Sequence, residues 1–307
     1  MSKHDVDDHG IAFNFGALPE KHARWDKARV AILPIPYDLT TSYQPGARRG
    51  PQAIIEASTQ LEFYDSELND EPYRVGIHTL PALHPTVSGP KEMSRQIQSA
   101  FERVLDAGKF PVVLGGDHSV SHGVIQALAK RLKKFSVLQL DAHADLRDEY
   151  QGSKWSHACI GRRVVELKHA RLVQIGIRSL SVEEADFVKR KPKNLFSVSA
   201  AALQEDPQAG LKALKHLQDP VYITIDVDAF DPAIMPATGT PEPGGLNWYQ
   251  ALSLLRRTFE HHDVLGCDVV ELAPLPGTVA PDFLTAKLVY KLIGYWKTFN
   301  CSKEVGP

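Results

Sequence analysis

The sequence predicts an α/β protein in which a mainly parallel sheet is covered by helices on both faces. Short, wholly apolar runs alternate with segments of helical periodicity, and several of these runs end abruptly in clusters of Asp and His. A strand buried on both faces reads as a continuous apolar run, so the pattern favours a parallel sheet over a half-exposed antiparallel one.

The apolar runs, in order, are residues 29–35 (RVAILPI), 110–114 (FPVVL), 135–140 (FSVLQL), 171–177 (RLVQIGI), 221–225 (VYITI) and 264–272 (VLGCDVVEL). Between them, residues 91–107 place Met93, Ile97, Phe101, Val104 and Leu105 on one helical face, and Gly108 follows as a C-terminal cap. Asn247 suits the N-cap of a helix carrying Leu252, Leu255 and Phe259, and Leu284, Leu288, Leu292 and Trp296 form a further apolar stripe. No repeat, low-complexity stretch or Ser/Gly linker divides the chain. The expected organisation is an arm, residues 1–27, followed by one domain, residues 28–307.

Composition narrows the function. A chain of 307 residues, 43% hydrophobic and 23% charged, buries a sizeable core without disulfide or metal staples. The balance of 35 Lys+Arg against 37 Asp+Glu leaves no basic footprint for nucleic acid or an anionic membrane. No apolar run approaches the roughly 20 residues of a membrane span. The opening MSKHDVDDHG has no apolar segment of the signal-peptide kind, so a cytoplasmic protein is expected. Cys159, Cys267 and Cys301 are odd in number and dispersed, which suits free buried thiols better than a disulfide framework or zinc knuckle.

The informative residues stand at the ends of the apolar runs, where ligands bind in open parallel sheets. In QLDAHADL, Asp141, His143 and Asp145 alternate along an extended segment and can face one point. Uncompensated carboxylates this close to a strand core are costly, which favours metal ligands over a merely satisfied polar core. Asp226 and Asp228 in ITIDVDAFDP repeat the logic, while Asp231, before Pro232, fits a turn. His118 in VVLGGDHSV follows two glycines that permit a tight backbone and joins the other two clusters as a sixth ligand; its neighbour Asp117 suits hydrogen bonding to nearby backbone. Two imidazoles and four carboxylates exceed what one divalent cation can balance, so two are expected. The oxygen-rich set without thiolate suits Mn²⁺ or Mg²⁺ over structural zinc, and the histidines tilt it toward Mn²⁺, with Ni²⁺ or Co²⁺ left open. Paired metals that activate a shared water imply hydrolysis.

GGDHSV, DAHADL and DVDAFDPAIMPATGTPEPGGL, in this order, resemble the signature motifs of the ureohydrolases, the arginase and agmatinase family. YDLTTSYQPGARRGPQAI, DLRDEYQGSKWSHACIGRR, QIGIRS and DVVELAP resemble segments of the agmatinase branch, so the similarity covers roughly residues 29–295. The resemblance implies a three-layer α/β/α fold around a mainly parallel eight-stranded sheet. It also implies a di-manganese centre that hydrolyses a guanidino group to urea and an amine, and a homotrimer or homohexamer. By position, one Mn²⁺ would be held by His118, Asp141, Asp145 and Asp226, and the other by Asp141, His143, Asp226 and Asp228. Asp145 would pass a proton to the leaving amine, His157 in KWSHACI would shuttle protons, and Glu271 in VVELAP would hold the guanidinium. Where arginases typically have Gly after that histidine, this chain has Ala158, as in part of the agmatinase branch.

The segment LRDEYQGSKWS, residues 146–156, should lie over the pocket and shows no carboxylate-binding pattern of the arginase kind. Agmatine, cleaved to putrescine and urea, is therefore the expected substrate, with aminopropylagmatine, guanidinobutyrate, arginine and guanidine as related alternatives. A two-metal phosphoesterase would carry an early D-x-H followed by an Asn-His motif, and that combination is absent. An inactive scaffold of the same fold would not need all six ligand positions filled by competent residues.

Overall fold

In the computed structural model, which describes residues 12–301, eight segments form one sheet. The strands are β1 (Val30–Pro34), β2 (Ile77–Thr79), β3 (Phe110–Leu114), β4 (Phe135–Leu140), β5 (Ala170–Ile177), β6 (Leu195–Ser199), β7 (Val221–Asp226) and β8 (Val264–Val270). Every pairing is parallel and the order is β2-β1-β3-β8-β7-β4-β5-β6. Six of the strands coincide with the apolar runs. The two edge strands left no such signature, because β2 has three residues and β6 (LFSVS) is only partly buried.

The helices are α1 (Glu20–Ala23), α2 (Gly50–Ser58), α3 (Pro90–Asp106), α4 (Ser121–Arg131), α5 (Ile160–Glu166), α6 (Val182–Lys189), α7 (Ala200–Glu205), α8 (Ala209–Ala213), α9 (Trp248–His261) and α10 (Ala280–Phe299). Alternating strand side chains feed two separate cores, which makes three layers. Phe135 and Val137 of β4 pack with Met93, Ile97 and Phe101 of α3, Val124 and Leu128 of α4 and Ile160 and Val164 of α5. Leu138 and Leu140 face the other way, into a core with Ile54 of α2, Leu255 and Phe259 of α9 and Leu288 and Leu292 of α10. Each fully buried Leu, Ile or Phe on such a face contributes about 1.5–3 kcal/mol, so the layers are held mainly by this burial.

Local signals behave as their chemistry requires. Gly108 adopts φ 65° just past the end of α3 and donates its N–H to the Leu105 carbonyl at 2.9 Å, a conformation that penalises a Cβ. Asn247 caps α9 through the N–H of Gln250, whose side chain returns the bond to the Asn247 N–H. Of the expected arm, residues 1–11 lie outside the described residues; Phe15 and Leu18 are buried in the core beside α2. Among the described residues the three cysteines are free, and no helix is long and apolar enough to cross a membrane.

Candidate metal centre and active site

Four neighbouring strands in the middle of the sheet, β3, β8, β7 and β4, carry at or just past their ends the six candidate metal ligands and Glu271, and only His157 of the candidate site residues comes from elsewhere. The chain reaches β4 before β7 and β8, so the two later strands insert between β3 and β4 and close the gap between His118 and Asp141.

After β3, Gly116 runs against the loop that follows β1. A Cβ built there would stand 1.9 Å from the Tyr37 carbonyl oxygen, so close approach explains this glycine. Asp117 caps the turn that begins at His118. His118 Nδ1 is buried, makes no hydrogen bond among the described residues, and lies 3.2 Å from Asp141 Oδ2, 3.2 Å from Asp145 Oδ2 and 3.4 Å from Asp226 Oδ2. Its other ring nitrogen, Nε2, is 2.8 Å from Thr224 Oγ1, and that hydroxyl donates to Asp268 Oδ1 at 2.5 Å. Because Thr224 spends its proton on Asp268, it accepts from His118, whose Nε2 therefore carries the hydrogen. The Nδ1 lone pair is left facing three carboxylates, the arrangement of a ligand oriented by a carboxylate through a hydroxyl.

His118, Asp141 and Asp145 form one group that could hold a metal ion, and Asp141, His143 and Asp228 form a second, sharing Asp141; the donor atoms within each lie within 4.8 Å of one another. His143 Nδ1 stands 2.8 Å from Asp228 Oδ2. Asp226 directs Oδ1 to the Asp228 N–H at 2.9 Å and Oδ2 toward His118.

The electrostatics of this cluster call for cations. Burial, and then the Asp228 and Asp141 charges, raise Asp226 well above the usual carboxylate range. Burial and Asp141 push Asp145 up to about 7. Burial opposes a charged His118, but Asp141, Asp145 and Asp226 outweigh it and raise its pKa well above the ordinary value. Burial raises Asp228, yet the adjoining His143 overcomes this and leaves it lowered. A buried carboxylate group of this density is stabilised by divalent cations, and the donor set of carboxylate oxygens and imidazole nitrogens fits them.

Asp145 and Glu271 adopt φ values of 51° and 67°, a region that costs a non-glycine residue about 1–3 kcal/mol. Both line one cavity of about 270 Å³, with His143, Asp226, Asp228, His157, Arg147, Tyr150, Ser181 and Thr240. Glu271 Oε1 accepts the His118 N–H at 2.7 Å, and Oε2 makes no hydrogen bond among the described residues. Burial, then the Asp117 charge, raises Glu271 well above its ordinary value. His157 enters from the segment between β4 and α5, its Nδ1 3.2 Å from Thr40 Oγ1, and burial lowers its pKa.

The sequence model of the arginase family matches residues 28–294. The chain is a member of the arginase family. It is 44% identical to N(1)-aminopropylagmatine ureohydrolase of Thermus thermophilus over 276 residues, covering 90% of this chain and 92% of the relative. It is 43% identical to the Synechocystis protein of the same name, covering 88% and 89%. The crystal structure of agmatine ureohydrolase of Thermoplasma volcanium superposes with a TM-score of 0.85 at 28% identity, covering 97% of this chain and 98% of that one. The chain is thus a ureohydrolase-type enzyme acting on guanidino C–N bonds.

The arginase-family motifs are braced by residues that the motif reading did not single out. Arg178, after β5, donates to the carbonyls of Gly176, Asp228, Phe230, Glu242 and Pro243, pinning the loop that begins with Asp226. Asp268 accepts hydroxyls from Ser121, Tyr222 and Thr224. A carboxylate in the middle of a buried strand was the available signal for Asp268; nothing local marked Thr224 or Arg178. Asp231 does serve its turn, accepting from the N–H groups of Ala233, Gly244 and Gly245. Arg147 and Tyr150 place the 146–156 segment at the cavity, whereas Asp148 is tied to Lys154 and Arg163 on its outer side.

Proposed function

We propose that this enzyme hydrolyses the guanidino group of N1-aminopropylagmatine, releasing urea and the corresponding polyamine. Water adds to the guanidinium carbon and the bond from that carbon to the alkyl-bearing nitrogen breaks, so that one guanidinium and one water become urea and an alkylammonium. The observation that carries the reading is the convergence of two His/Asp groups on Asp141, beside a glutamate with one uncommitted oxygen in the same cavity. The sequence alone favours agmatine, which lacks the α-carboxylate of arginine. The two relatives at 43% and 44% identity support the longer aminopropylated substrate instead. Agmatine remains the second reading, supported by the agmatine ureohydrolase structure at 28% identity.

In this account His118, Asp141, Asp145 and Asp226 would hold one Mn²⁺, and Asp141, His143, Asp226 and Asp228 would hold another. Bound there, the two cations would supply Lewis-acid activation of water. Glu271 holds and orients the guanidinium through a charge-assisted hydrogen bond, restricting it to the geometry that reaction requires. Asp145 donates the proton that makes the amine a leaving group, and His157 resupplies it from the cavity wall. Urea release by the Mn²⁺-loaded protein, compared across guanidino compounds, tests the reading.

A further inference from the structure

We infer that Thr40 is a positioning residue for His157, holding the imidazole as its Nδ1–H tautomer by linking it to the buried carboxylate of Asp117. The inference rests on the proton-carrying role proposed for His157.

Asp117 is fully buried. Its Oδ2 accepts the Thr40 N–H at 2.8 Å and the Thr40 hydroxyl at 2.8 Å, and its Oδ1 accepts the Ser119 N–H at 3.1 Å and the Ser119 hydroxyl. Four donors on two oxygens make it an acceptor throughout. Thr40 has one hydroxyl proton, and Asp117 receives it. The oxygen lone pairs of Thr40 then face the His157 N–H at 3.0 Å and His157 Nδ1 at 3.2 Å. With no second proton on the hydroxyl, the hydrogen between Thr40 and the ring belongs to Nδ1. Ser156 Oγ stands farther from the same nitrogen, at 3.4 Å.

Two consequences follow for the chemistry. Nε2 keeps its lone pair and makes no hydrogen bond among the described residues, so it is the nitrogen able to take up and release a proton at the cavity that His157 lines. The imidazolium formed by uptake is stabilised by Asp117 through the Thr40 hydroxyl, and the ring is held against the edge-on Tyr150, 5.8 Å away. The arrangement mirrors the Asp268–Thr224–His118 chain across the site, with the ring reversed: there Nε2 carries the hydrogen and Nδ1 faces the centre. Thr40 belongs to the loop after β1, and no sequence spacing connects it to His157.

The test measures urea release by the metal-loaded full chain, on whichever of aminopropylagmatine and agmatine it hydrolyses, for Thr40→Val, Thr40→Ser and His157→Ala. Thr40→Val is expected to lower kcat at least about tenfold with KM within about twofold, at unchanged melting temperature and metal content. Thr40→Ser, which keeps the hydroxyl, should bring kcat to within about threefold of the parent. Should Thr40→Val not fold, Thr40→Ala removes the same hydroxyl without setting a methyl group against Asp117. A parental kcat in the hydroxyl-free variant, beside a slow His157→Ala, overturns the link to Thr40 and leaves the role of His157 standing. A rise in KM alone also overturns it, reducing Thr40 to a shaper of the pocket. A parental kcat in His157→Ala overturns both.

Discussion

Glu271 Oε1 accepts the backbone N–H of His118 at 2.7 Å, joining the ends of the adjacent strands β8 and β3. One hydrogen bond thus ties the group proposed to hold the guanidinium to the group proposed to hold a metal ion, and it leaves Oε2 for the substrate. Glu271→Gln preserves the carbonyl acceptor but removes the charge. A hydrogen bond to a charged group is worth about 1.5–3 kcal/mol, so kcat/KM should fall by about one to two orders of magnitude with metal content unchanged. Unchanged kinetics would remove Glu271 from substrate binding.

Asp226 directs one oxygen to the Asp228 N–H and the other toward His118. Asp226→Asn should therefore weaken metal binding and abolish turnover, and elemental analysis of the purified variant reads the first effect directly. Full manganese content with full activity would refute the ligand assignment.

Thr224 links Asp268 to His118 Nε2. Thr224→Val should leave the His118 N–H without an acceptor and lower metal affinity by about 10- to 100-fold, whereas Thr224→Ser should retain it. Metal titration of the stripped proteins checks this. Equal affinities would show that the packing around His118 orients it unaided.

His122, in the first turn of α4, has its Nε2 3.0 Å from the Ser156 carbonyl, and burial depresses its pKa from 6.5 to about 4. The fold prefers the neutral ring, so its contribution is complete above pH 6.5 and is lost as the pH falls from 6.5 toward 4. The full effect is on the order of 3 kcal/mol. In chelator, to remove the pH dependence of the metal itself, the melting temperature of the parent should fall more steeply over this window than that of His122→Gln. Parallel curves would mean that His122 accepts the charge without cost.

The central strands were legible because burial on both faces writes itself as an uninterrupted apolar run, and the Asp/His clusters were legible because such residues are expensive beside a strand core. Strand order was not: the insertion of β8 and β7 between β3 and β4, which brings Glu271 and Asp226 beside His118, is a long-range pairing with no local mark. The short β2 and the half-exposed β6 carry too few apolar residues to announce themselves. Thr40, Thr224 and Arg178 escaped the motif reading for a related reason. A lone hydroxyl or guanidinium acquires its role only from a partner tens of residues away. The motifs near Asp141 and Asp226 named the chemistry, whereas Arg147 and Tyr150, which line the same cavity, have a spacing that encodes no ligand.

The most direct test of the account is urea release by the Mn²⁺-loaded protein on N1-aminopropylagmatine, agmatine, guanidinobutyrate and arginine, before and after chelation. The account predicts urea from the guanidinoalkyl amines, with the highest kcat/KM on N1-aminopropylagmatine, loss on chelation and recovery when Mn²⁺ is returned. Inactivity on all four, or activity indifferent to chelation, would contradict it.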